Sequence, residues 1–106
     1  MGKVVRGRSD RILRDILNIL KDYEVAHPEA VVEAYRQNSA SVRVRIIDPD
    51  FAGFDRAERH DIVWRILEKL PEDVLSDVTI LLLLTPDELS ESLANFEFEN
   101  PTPSRL

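Results

Sequence analysis

Three observations predict an α+β fold. Apolar residues alternate through Val42, Val44 and Ile46, helical stripes flank that strand on both sides, and one run, 78–84, is apolar on both faces. The implied order is α–β–β–α–(turn)–β–α, a two-layer sandwich with a three-stranded mixed sheet and its helices on one side. The 106 residues suit a single domain, 1–106. Its core is expected at about 9–95, between a flexible 1–8 and an acidic, proline-containing tail, 96–106.

Ser9 reads as the N-cap of a first helix that runs to Lys21 or Asp22, with Ile12, Leu13, Ile16, Leu17 and Leu20 as its apolar stripe. The stretch 28–37 admits a short helix with Pro28 at its first position, or a strand with Val31, Glu33 and Tyr35 on one face. The strand is preferred, because Asn38 and Ser39 then turn it into a hairpin with the next strand at low loop cost. In that next strand Val42, Val44 and Ile46 are buried, and Ser41, Arg43, Arg45 and Ile47 face the other way.

Asp48-Pro49-Asp50 ends the hairpin, and Phe51 and Phe54 tuck onto the core. Asp55 with Glu58 forms a carboxylate capping box for a helix to Leu70, and Pro71 stops it. Residues 71–77 hold a helical turn at most. The run 78–84 suits a central strand, or one covered on one face and paired at an interface. Its link to the hairpin is long enough for a parallel crossover. Thr85-Pro86-Asp87-Glu88 opens a last helix that ends near Asn95, and Phe96 and Phe98 then add an edge strand or pack on a flank.

Composition narrows the chemistry. The absence of cysteine excludes disulfides, a thiol nucleophile and thiolate-ligated zinc or Fe–S centres from this chain's own side chains. The longest apolar run, Ile80 to Leu84, has five residues, so no membrane span is expected, and no secretory h-region opens the chain. A cytoplasmic protein is the expectation. The net charge of −6 is segregated: 1–69 balances to +1 and is basic at its start, while 70–106 sums to −7. Either end can steer a partner of opposite charge.

His60 lies in the first turns of the Asp55 helix, whose positive end favours a neutral ring that accepts or ligates. It is the candidate partner contact and metal ligand, against the plainer reading of a helix histidine bonded to a nearby loop. His27 suits a helix-end contact. Asp48, Asp50 and Asp55 lack the EF-hand spacing and suit turn and cap roles. Arg43 and Arg45 share a strand side with Arg36 across from them. They form either a solvated face paired to Glu33 or, with the basic N-terminus, a phosphate-contacting surface. No phosphate-binding glycine motif is present. Trp64, Phe96 and Phe98 read as packing aromatics.

The segment VRVRIIDPDFAGFDRAERHDIVWRIL resembles the BolA family: a strand, a loop ending in Phe51-x-Gly53, and a helix opening on Arg59-His60 with Ile62-Val63 behind. The likeness resumes at ILLLLTPDEL, through Thr85, Pro86 and Glu88, and covers about 29–90. The resemblance implies a BolA-like, KH-like fold in the order α–β–β–α–α–β–α. It also implies an accessory protein that pairs with a monothiol glutaredoxin and shares a [2Fe–2S] cluster, with nucleic-acid binding in some members. The histidine that the family carries before its last strand falls at Asp77.

The expected function is a non-enzymatic adaptor that binds another protein through exposed sheet or the His60 helix, with His60, Arg59, Arg43, Arg45 and Arg36 as contacts. It has no cofactor of its own, a cluster being shared only with a partner, and a homodimer is compatible with the pattern. The alternative is a nucleic-acid binder that uses the basic N-terminus and the strand arginines.

Overall fold

In the computed structural model, which describes residues 2–102, the first strand stands where a flexible segment was expected. β1 (Lys3–Val4) pairs in parallel with β2 (Val31–Asn38), Lys3 opposite Glu33. Gly2 permits that approach: a Cβ there would stand 2.9 Å from a Leu17 methyl and 3.1 Å from Val32. Gly7, at a φ of 71°, turns the chain away afterwards.

Asp10 rather than Ser9 caps α1 (Arg11–Ile19), taking the Leu13 N–H at 2.8 Å. The chain passes at once into α2 (Lys21–Ala26), which buries Tyr23. β2 and β3 (Ser41–Ile47) form the hairpin, with Ala34 opposite Val44. A 3-10 turn, Pro49–Gly53, leads to α3 (Arg56–Leu67), where both halves of the Asp55/Glu58 capping box are made. α4 (Glu72–Leu75) is the single turn before β4 (Val78–Leu84), and β4 pairs in parallel with β3.

Two expectations are corrected. The sheet has four strands, ordered β1-β2-β3-β4, so the three-stranded α–β–β–α–(turn)–β–α arrangement does not hold. A two-residue strand carries no alternation, which is why sequence periodicity passes over it. Nor does a helix run from Thr85 to Asn95. Pro86–Glu88 is a 3-10 turn, and a separate helix, α5 (Leu93–Glu99), starts when the Ser92 hydroxyl takes the Asn95 N–H.

α5 also ends the two-layer picture. Val32, Ala34, Val42, Val44, Ile46 and Leu83 pack under Leu13, Ile16, Leu17, Val63 and Leu67 on one face. On the other face Phe98 closes a second cluster over Tyr35, Leu82 and Leu84. Packing therefore reaches past residue 95. Residues 103–106 of the expected tail lie outside the described residues. Among the described residues no helix is long and apolar enough to cross a membrane.

Candidate functional site

The capping box fixes where α3 starts, and helical spacing then sorts its side chains. Arg56, His60, Trp64 and Glu68 recur every fourth residue along one outer stripe. His60 is exposed, and its ring stacks on Trp64 with centroids 5.4 Å apart. Among the described residues its ring nitrogens have no hydrogen-bond partner, so the expected bond to a nearby loop is not made. Arg59, one residue earlier, is turned inward. It donates to the carbonyls of Phe51, Phe54 and Leu83 at 2.9–3.1 Å and grips Glu88 at 2.6 Å. That guanidinium, helped by the Thr85 N–H, draws the Glu88 carboxyl down to about 2.

Between α3 and α5, along β4, runs a groove of about 530 Å³. Leu81 to Leu84 form its floor, with Arg56 and His60 on one wall and Glu91, Ser92, Leu93 and Ala94 on the other. Sequence reasoning found His60 and missed both Arg56 and the second wall. Its signal was the Ser92 cap, overshadowed by the stronger Thr85-Pro86 pattern.

The strand arginines are all engaged by carboxylates. Arg45, buried, binds Glu33 at 2.6 Å, Glu99 at 2.5 Å and the Asn95 amide oxygen at 2.8 Å. Arg43 binds Glu97 at 2.5 Å, and this bond with the Thr102 contacts holds the Glu97 carboxyl at about 2. Arg36 is on the opposite face, as part of a bridge from Asp10 at 2.5 Å to Asp77 at 3.1 Å. The bond to Arg36 lowers the Asp10 pKa. Asp77, where the resembling family carries histidine, is therefore an anchor for Arg36.

Potential metal ligands converge elsewhere. His27 Nδ1 stands 2.8 Å from Asp50 and 3.4 Å from Asp48, and one ligand atom of each lies within 4.8 Å of the others. Asp48 is buried and takes the Tyr23 hydroxyl at 2.5 Å and the Asp50 N–H at 2.9 Å, as a turn residue does. Burial, with the Asp48 contact, pushes the Tyr23 hydroxyl pKa up. Asp55 is held by its cap, 2.9 Å from the Glu58 N–H, and His60 joins no such group among the described residues. Phe98 is buried, whereas Phe96 is 67 % exposed.

No family model and no solved structure matches the chain. Over 93 residues it is 30 % identical to the UV-induced protein uvi31 of Schizosaccharomyces pombe, an alignment that spans 79 % of this chain and 91 % of the yeast protein.

Proposed function

From the family of the yeast UV-induced protein uvi31, to which this chain belongs at that identity and coverage, we propose a non-enzymatic adaptor with a BolA-like fold. It docks a partner protein through the outer stripe of α3, and its role lies in iron–sulfur or redox homeostasis. The observation that supports this is His60: exposed, held by Trp64 and with ring nitrogens that have no partner among the described residues, it is available to bond or ligate a group that another protein brings. The chain has no thiolate of its own, so a cluster would arrive on a monothiol glutaredoxin.

The test is titration of a [2Fe–2S]-loaded monothiol glutaredoxin with this protein, followed by visible circular dichroism and co-elution. Altered cluster spectra that revert with His60→Ala support the reading, and unchanged spectra without co-elution overturn it. The alternative, a nucleic-acid binder, requires Arg36, Arg43 and Arg45 to leave their carboxylates, or the basic N-terminus to act alone. Affinity for RNA or DNA oligonucleotides that falls steeply with salt would favour it.

A further inference from the structure

β4 is an edge strand with the composition of a central one. Its seven residues, VTILLLL, contain no charge, no proline and no glycine, and its register shift is confined to the first pair, at Val42/Arg43. Long apolar edges invite pairing with another strand, and proteins ordinarily shield them.

Ladder parity shows which backbone groups are turned outward. The Asp48 N–H donates to the Leu84 carbonyl at 2.9 Å, so Leu84, and by alternation Leu82 and Ile80, face β3. Leu81 and Leu83 therefore present their N–H and C=O groups away from the sheet; the alternation ends at the register shift, before which the Asp77 carbonyl faces β3 and takes the Val42 N–H. The Arg59 guanidinium reaches the Leu83 carbonyl from that side, at 3.1 Å. No described strand pairs with this edge.

We propose that a second copy of this chain occupies it. Two β4 strands pair antiparallel about a two-fold axis perpendicular to the sheet, and the dimer gains one continuous eight-stranded sheet. Leu81 exchanges both of its outward hydrogen bonds with Leu81 of the partner subunit, and Ile80 lies opposite Leu82 of the partner subunit. Such an axis sets the two α3 helices antiparallel on the same side of the seam. The outer stripe of α3 is self-complementary in that arrangement: Arg56 begins it, Glu68 ends it, and among the described residues neither has an ion pair. Arg56 then meets Glu68 of the partner subunit, twice over, as an isologous contact requires. Leu93, 88 % exposed where α5 borders the groove, adds apolar surface on the other side of the sheet.

The dimer covers the α3 stripe that the proposed function gives to a partner protein, so the two are alternative occupants; dimerisation is tested without glutaredoxin, and each can fail separately. Sedimentation equilibrium of the full chain over a wide concentration series is expected to show a monomer–dimer equilibrium. Leu81→Pro removes the central outward donor and should abolish it. Far-UV circular dichroism shows whether that variant stays folded. Arg56→Glu, an exposed helix-surface change, should raise the dimer dissociation constant about tenfold or more, and adding Glu68→Arg should restore it. A monomer at every concentration, growth beyond the dimer, undiminished dimerisation in folded Leu81→Pro, or indifference to Arg56→Glu overturns the proposal.

Discussion

The two faces of the sheet are held by different physics. Under α1 and α3 the interior contacts are carbon on carbon, with the Asp10–Arg36–Asp77 bridge at the margin: Leu13, Ile16, Val44, Ile46, Val63 and Leu67 are fully buried. Under α5 the strands present Glu33, Arg43 and Arg45, and two carboxylates of the helix, Glu97 and Glu99, bind those arginines, with Phe98 seated among them. The first face is non-directional and tolerates small shifts, whereas the second is satisfied only when every partner is present. The match is incomplete at one point, since the buried Nε of Arg43 has no hydrogen-bond partner among the described residues.

The strongest way to break this contrast is Arg45→Met. It leaves Glu33 buried without its guanidinium, and urea unfolding should show a loss of about 3 kcal/mol. Adding Glu33→Leu should recover most of it, because an apolar pair replaces an ionic one. On the opposite face Ile16→Ala should cost about 2–5 kcal/mol, by lost transfer energy plus a cavity, and no second substitution of a single charge should rescue it.

Acid separates the faces more gently. Glu97 and Glu88 titrate near 2, well below an unfolded carboxyl at about 4.3. Their contribution is therefore complete above that unfolded value and is lost as the pH falls toward 2. Hydrogen exchange should show α5 amides losing protection across this window as Glu97 releases Arg43, while the mid-helix amides of α1 at Ile16 and Leu17, beyond the Asp10 cap and held by apolar packing, stay protected. The smallest effect is at the α3 cap, where Asp55→Ala should cost about 1 kcal/mol and leave both faces intact.

How much of this the sequence carries depends on the range of the interaction. The Asp55/Glu58 box and the Val42-Val44-Ile46 alternation are local, and both are found in place. The strand arginines are expected on a solvated face paired to Glu33: the Arg45–Glu33 pair is formed, but the face is not solvated, since α5 covers it and both residues are buried. The last helix is expected from Thr85 to about Asn95, yet α5 begins only at Leu93, which points to solvent, and the buried residue is Phe98. What seats Phe98 is its carbonyl, which takes the Tyr35 hydroxyl at 2.8 Å across 63 residues, a partnership with no local pattern. The exposure of His60 was equally illegible. It depends on α3 burying Arg59 and Val63 instead, a choice made by the Leu83 carbonyl and Glu88.

The long reach of α5 has a consequence for biogenesis. Its bonds join residues far apart in the chain, from Tyr35 to Phe98 and from Arg6 to the Glu99 carbonyl across 93 residues. Loops of that length close late, and α5 is synthesised after every strand it covers. The hairpin and the apolar face can assemble on a nascent chain while the other face still waits for its carboxylates. A chain arrested before Leu93 would present Tyr35, Leu82, an uncompensated Arg43 and an Arg45 held by Glu33 alone, a ready target for chaperones and proteases.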